Sequence, residues 1–555
     1  MNGRSVPIAR LAATMAFAIL LGACAPAAPA SKPTSQSTTT GLAVLRLSSQ
    51  DFGYPQPYTF SRGPGHVLLS YVFDSLVWHD ANGFIPWLAT DWKLQEDGLT
   101  WHFTLHSGVK WQDGQPLTPA DVVFTFQYLH DKPNPWWASA LELVDRVEQS
   151  GGNGVNIVLK RPYAPFLTSI AASVVIMPQH IWATVSDPKQ FTGPASAVGS
   201  GPYRLSQYDA AQGSYLFEAN PDFFLGPPFV KRLELVPSTN DLVALHQGLI
   251  DAGGSATQDV ATDEELTPFK DASRYGMLTG SQEWTMGLFF SMAHGGPLAN
   301  VRVRQAIAYA IDWQDLVNRV LHGKGQPGIQ GQLAPSSPWY NPNVHQYSFD
   351  PPKANQLLDD AGYTARNADG VRLSADGKPL AFELAFTDWD SPRNPELLKS
   401  YLQRVGIALT PRAMERNARD AAATDGRYEM ILVGFGGIGG DLDGLRSRFQ
   451  SQSQARSFTR VQGYANPRFD ELADRQLAET DATLRKQQGD EMQALLADDV
   501  PMLTLYLPQS VWLYRKGTLE DWYFAFGWYG GGTNGAYKQL FVSGQRVSGA
   551  VKRTS

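Results

Sequence analysis

The chain has 555 residues, with 46 Lys+Arg against 53 Asp+Glu, 51 Gly, 37 Pro, 15 Trp and one Cys. A single cysteine excludes a disulfide scaffold and any cysteine-based zinc cluster. A formal charge of -7 with no Lys/Arg cluster argues against nucleic acid as a partner, since phosphate contacts need a basic surface. At roughly 150 residues per domain the length allows about three or four folding units, each with enough apolar residues for a core.

The N-terminus opens with Arg4 and Arg10, followed by an apolar run from Leu11 to Leu21 and then Gly22-Ala23-Cys24. The run falls short of the roughly 20 apolar residues a spanning helix needs and fits the apolar core of a signal peptide. Small residues before a Cys resemble a bacterial lipobox, in which Cys24 would be lipidated and become the first residue after cleavage. The alternative is a conventional signal peptide cleaved near Ala23-Cys24-Ala25. Residues 25–40 are rich in Pro, Ser, Thr and Ala without a hydrophobic period and read as a flexible tether. Cleavage before Cys24 leaves 44 Lys+Arg against 53 Asp+Glu, a balance of -9.

From Gly41 onward the elements are mixed. Ala43 to Ser48 alternates like a strand, and so does Leu99 to Leu105, with Leu99, Trp101, Phe103 and Leu105 on one face. Thr118-Pro119-Ala120-Asp121 has the hydroxyl cap, early Pro and acid of a helix start. Val301 to Val320 carries Val303, Ile307, Ala310, Ile311 and Leu316 at helical spacing, with Arg302 and Arg304 on solvated or ion-paired faces. Helices are also expected over Pro352 to Ala361 and Glu396 to Val405, each stopped by a Gly, and strands over Leu380 to Phe386 and Tyr428 to Val433. The fold class is α/β.

Enzyme motifs are weak. Gly434 to Gly439 matches G-x-G-x-x-G after a strand, but Asp441 and Asp443 follow at once, where they would repel pyrophosphate, and no acid lies between Gln450 and Gln462. It reads as a Gly-rich loop. His102 and His106 are four apart on a strand, about 13 Å at ~3.3 Å per residue, too far to share a metal. Asp441 with Asp443, and Asp388 with Asp390, could serve a glycosidase, yet carboxylates two apart are commonly turn and cap residues. No metal, cofactor or catalytic residue is expected.

Residues 84 to 129 are more specific. Phe84-Ile85-Pro86-Trp87-Leu88-Ala89-Thr90-Asp91-Trp92, Asp97-Gly98-Leu99-Thr100-Trp101 and Gly108-Val109-Lys110-Trp111-Gln112-Asp113-Gly114, continuing to Thr118-Pro119-Ala120-Asp121-Val122-Val123, closely resemble the bacterial extracellular solute-binding protein family 5. The resemblance continues through Val198-Gly199-Ser200-Gly201-Pro202-Tyr203, Leu298 to Asp312, Phe349 to Tyr363, Gly463 to Leu472 and Pro501 to Tyr506.

The resemblance implies a two-lobed periplasmic-binding-protein-like fold with two hinge crossovers. Lobe I would take residues 41–285, including an extra subdomain at about 67–184, and the return from 505 to 555; lobe II would take 286–504. Trp284 to Met292 and Leu503 to Leu507 are the candidate hinge strands. It also implies a monomeric receptor, not an enzyme, that binds a peptide-like solute between its lobes and presents it to the membrane permease of an ABC importer. In peptide-binding relatives an Asp after a lobe II strand holds the peptide's ammonium; the matching place is Gly439-Gly440-Asp441-Leu442-Asp443, which departs from the family pattern at Leu442 and Gly444. Asp441, Asp443, Trp389, Trp284 and Tyr54 are the candidate solute contacts, with the Trp528-Tyr529 pair a further exposed-loop candidate. An oligosaccharide is the alternative solute, favoured by the Trp content. A nickel chelate also occurs in the family, without a His cluster here to favour it. A secreted hydrolase using Asp441 and Asp443 is the reading from another class.

Overall fold

The computed structural model describes residues 41–254, 260–281, 285–387, 393–436, 441–453, 457–524 and 537–547. In the first half of the chain β1 (Leu45–Ser49) runs parallel to β2 (Arg232–Pro237) and to β3 (Ala252–Gly254), and the antiparallel strands Ser214–Ala219 and Tyr203–Asp209 extend the sheet beyond β2. A further strand of this half is β4 (Tyr275–Ser281). Between β1 and β2 an antiparallel four-stranded sheet is inserted, ordered Ala89–Leu94, Thr100–Leu105, Gly154–Leu159, Val144–Gln149. Phe103 and Leu105 point into its core and Trp101 stacks on Phe166 at 4.8 Å, as the alternation from Leu99 to Leu105 requires. The helix α1 (Pro119–Asp131) starts at the expected cap, with a reciprocal capping box between Thr118 and Asp121.

The Gly199-Ser200-Gly201-Pro202-Tyr203 turn shows why glycines stand there. A Cβ on Gly199 would lie 1.9 Å from the Val72 carbonyl oxygen, and one on Gly201 2.5 Å from that of Tyr71. Backbone approaches backbone too closely for any side chain, and the Gln112 amide donates to the Gly201 and Tyr203 carbonyls at 3.2 and 2.7 Å to fix the contact.

In the second half, β5 (Thr285–Phe290) begins a sheet that also holds β6 (Ala381–Phe386), β7 (Ala408–Ala413) and β8 (Met430–Phe435). β6 is parallel to both β7 and β8, and β8 is antiparallel to β5. Around it lie α2 (Val301–Ala310), α3 (Trp313–Val320), α4 (Pro351–Asp360), α5 (Arg393–Arg404), α6 (Asp443–Phe449), α7 (Pro467–Ala478) and α8 (Ala482–Asp499). The periodic run from Val301 to Val320 is two helices rather than one. Ile311 leaves the helical region and Asp312 caps α3 by accepting from the Asp315 amide at 3.0 Å.

Arg304 is not on a solvated or ion-paired face. It is 5% exposed and donates from Nε and both Nη atoms to the carbonyls of Leu298, Ala299, Asp499 and Val500 at 2.6 to 3.1 Å. These last two lie at the end of α8, where helix carbonyls lack intrahelical donors, and a cation there also meets the negative end of the helix dipole. Burial pulls the guanidinium down to about 10, against the charge of Asp499. The Asp499 carboxylate is in turn held by Tyr464 at 2.8 Å and Asn466 at 2.7 Å. Two segments of the family resemblance thus meet as one scaffold knot.

One strand joins the two sheets. β9 (Met502–Arg515) pairs through Met502–Tyr506 with β5, and through its last residues with β3 on one side and β4 on the other. Pro508 lies at the change of partners, opposite Gly325. The expected hinge segments Trp284 to Met292 and Leu503 to Leu507 therefore correspond to β5 and the first half of β9, with Trp284 itself outside the described residues.

The chain closes on the first half with α9 (Lys538–Ser543). Lys538 and Asp74 are both fully buried, 3.1 Å apart, with the ammonium 4.0 Å from the ring centre of Trp78 and 4.8 Å from that of Trp87. The Asp74 carboxylate also accepts from Trp87 Nε1 at 2.6 Å and Ser200 Oγ at 2.8 Å.

Candidate functional site

The strand directions locate the site. β3 is antiparallel to β9, with Gly254 opposite Trp512 and Ala252 opposite Tyr514, so β3 runs toward the Pro508 crossover. β1 and β2 are parallel to it, which brings Ser49, Pro237 and Gly254 to the same edge. In the other sheet Phe435 lies opposite Thr285, at the start of β5, so β8 and its parallel neighbour β6 also end at the crossover. The carboxyl ends of the parallel strands of both sheets point at one boundary. In open α/β sheets this is the edge where ligands bind, because the strand-to-helix loops and free helix starts converge there.

On the second-lobe side of that boundary, the loop after β8 leads into α6. Asp441 Oδ1 accepts from the Asp443 backbone N–H at 2.9 Å. The carboxylate also takes both Nη atoms of Arg485, at 2.8 and 2.5 Å. Arg485 is nearly buried, donates to the Gln476 carbonyl and side chain, and lies 5.0 Å from the Trp339 ring centre. Asp443 pairs with Arg446 three residues on. Both carboxylates therefore act as ion-pair acceptors. Arg448, on the same helix, lies 4.2 Å over the Phe435 ring, and burial pulls its guanidinium down to about 9.

The first lobe reaches this group with Tyr163. Its hydroxyl pKa is raised, by burial first and then by the negative charge of Asp443 and, more weakly, Asp441. The next residue, Ala164, donates its backbone N–H to the Leu477 carbonyl at 2.6 Å. Asp441 and Asp443 thus stand where the inserted subdomain meets the second lobe.

Tyr54 is half-buried in a tyrosine cluster. Its ring meets Tyr208 edge-on at 5.5 Å, and Tyr208 stacks on Tyr215 at 5.0 Å. Trp389 and Trp284, the Asp388 and Asp390 pair, Trp528 and Tyr529, and Gly437 to Gly440 lie outside the described residues. At the crossover itself Tyr506 receives Asn394 Nδ2 on its hydroxyl at 2.8 Å and Thr285 Oγ1 on its carbonyl at 2.7 Å. This ties the start of α5 to β9.

Arg485 and Tyr163 are the residues that sequence reasoning missed. Nothing local marks Arg485, 44 residues from its partner. Tyr163 had one usable signal, its position between Pro162 and Pro165. Among the described residues no group of three His, Cys, Asp or Glu side chains could hold a metal ion. None of the described helices is long and apolar enough to cross a membrane. His102 is instead bonded through Nδ1 to Asn156 at 2.8 Å.

Two lobes joined by one shared strand, with the strand ends of both directed at the boundary, define a cleft-type solute-binding protein. The comparisons with known proteins agree. The chain belongs to the bacterial extracellular solute-binding proteins, family 5, whose model matches residues 83–457. It is 29% identical over 505 residues to protein XP55 of Streptomyces lividans, covering 89% of each chain. To the nickel-binding periplasmic protein of Escherichia coli K12 it is 29% identical over 468 residues, covering 80% of this chain and 84% of that one. Among solved structures it is similar to the oligopeptide-binding protein AppA of Bacillus subtilis in complex with a nonapeptide, with TM-score 0.69, 22% identity and 86% and 95% of the two chains covered.

Proposed function

We propose that this protein is the receptor of an ABC importer, which binds a peptide-like solute between its lobes and delivers it to a membrane permease as a monomer. The observation that carries this reading is the convergence of strand ends from both sheets on the single Pro508 crossover. A solute there contacts both sides only when the lobes are together, so binding favours closure. The names of the relatives support the class of activity, since one binds nickel and another an oligopeptide.

In this reading lobe I comprises 41–285 and 505–555 and lobe II 286–504, and the solute meets Asp441, Asp443, Trp389, Trp284 and Tyr54. Asp441 has one acceptor site left for an ammonium: Arg485 and the Asp443 amide use three of its roughly four lone-pair sites. Cys24, after removal of residues 1–23, carries the lipid that holds the receptor at the outer face of the membrane, with 25–40 as the tether.

The test is mass spectrometry of small molecules released from the purified protein, followed by stoichiometric binding without turnover. A peptide supports the reading, a bound glycan replaces the peptide by an oligosaccharide, and turnover of a peptide or glycan library overturns it.

A further inference from the structure

The contact between Ala164 and Leu477 joins two groups that their own local structures leave open. Leu477 is in the last turn of α7, where carbonyls have no intrahelical donor. The amide four residues on, Asp481 N–H, is spent on Glu479 Oε1 at 2.9 Å. Ala164 stands before Pro165, which disfavours the helical region for it, and the short helical turn Leu167–Ala171 begins only beyond it. Its N–H is free to point outward and finds Leu477 O at 2.6 Å.

The apolar part follows the same pattern. Leu477 is 3% exposed, yet it joins the first-lobe cluster that holds Tyr163, Phe166 and Phe103, not the clusters of its own lobe. Pro162 and Pro165 on either side of the Tyr163-Ala164 pair restrict the free chain, so little entropy is lost when the segment docks.

The docked segment is wired to the loop after β8. Beside Leu477, the Gln476 carbonyl and side chain accept from Arg485, Arg485 grips Asp441, and Asp441 accepts from the Asp443 amide. Asp443 holds Arg446, and both act on the Tyr163 hydroxyl. The hydrogen bonds cross the lobe boundary at Ala164 and Leu477, and the charges of Asp443 and Arg446 act across it on the Tyr163 hydroxyl.

We propose that Pro162–Pro165 is a clasp: its Tyr163-Ala164 tip closes the lobe boundary on the end of α7, and Arg485 is the positioning residue that couples this closure to the Asp441–Asp443 loop. The proposal rests on the receptor reading for its purpose, since a clasp at this place controls solute release, while the contact itself can be tested without solute.

The experiment is amide hydrogen exchange, read by mass spectrometry on the mature chain, of the wild type and Leu477→Asp. In the wild type the segment 160–168 should be protected. In the variant it should exchange at least tenfold faster while β8 and Thr100–Leu105 keep their protection, and the radius of gyration from X-ray scattering should rise. Should Leu477→Asp not fold, Leu477→Ala is read the same way. Arg485→Met should loosen 160–168 in the same direction without touching it directly. An unprotected segment in the wild type, unchanged exchange in the variant, or loosening shared equally by the core strands would each overturn the clasp. Absence of any solute in the mass spectra would count against the receptor reading and leave the exchange result intact.

Discussion

Lys538 and Asp74, 464 residues apart in sequence, form an ion pair from which solvent is wholly excluded. Such a pair is tolerated because each charge has further partners: two indole faces for the ammonium, and an indole N–H and a hydroxyl for the carboxylate. Lys538→Met should cost about 3–5 kcal/mol, since it strands a buried carboxylate. Asp74→Asn combined with Lys538→Met should recover much of the loss. Guanidinium unfolding of the wild type, Lys538→Met, Asp74→Asn and the double variant gives the coupling, and a Lys538→Met variant within about 1 kcal/mol of wild type would mean that the pair is not holding α9.

His66 and His79 lie near that ammonium. Burial, reinforced by the Lys538 charge, lowers His66 to about 4 and His79 to about 3 from 6.5, against partly compensating backbone hydrogen bonds. Both are neutral in the fold, so the unfolded chain binds more protons below pH 6.5. Their contribution to stability is complete above pH 6.5 and is lost as the pH falls toward 4 and below. Melting temperature should decline over this range, with a shallower slope in His79→Gln. Parallel slopes would remove His79 from the account.

Arg304→Lys should destabilise by about 2 kcal/mol or more, because an ammonium cannot match a fork shared among four carbonyls. Arg302→Lys, on an exposed position of the same helix, is the control and should stay within about 0.5 kcal/mol of wild type. Equal effects at the two positions would contradict the capping role.

Asp441→Asn should weaken peptide binding more than tenfold, about 1.4 kcal/mol, if the carboxylate receives an ammonium. Calorimetry with the peptide recovered from the protein measures it, and N-acetylation of that peptide should lower wild-type affinity alike. Unchanged affinity in the variant would assign Asp441 to Arg485 alone.

Much of the scaffold was legible in sequence because its signals are local. Thr118 to Asp121 carries a complete capping box, whereas the close backbone approach at Gly199 and Gly201 shows only in the structure. The long strand β9 was half legible: Leu503 to Leu507 was expected as a strand, but Pro508 argues against its continuation, and only the change of partners at that residue explains how the strand goes on to Arg515. Arg304 looked like a surface residue because its reason for burial, the open end of α8, lies almost 200 residues away. Asp441 was singled out by the family resemblance, whereas Arg485 opposite it follows from helix packing that no spacing encodes.

The sharing of β9 between the lobes bears on how the chain acquires its structure. The sheet of the first lobe gains its pairing partner for β3 and β4 from residues 509–515, and α9 seals it later still. A polypeptide emerging N-terminus first therefore cannot complete its first lobe until nearly all of it has emerged. Such an order of assembly leaves the edges of β3 and β4 unpaired until the late residues 509–515 are available.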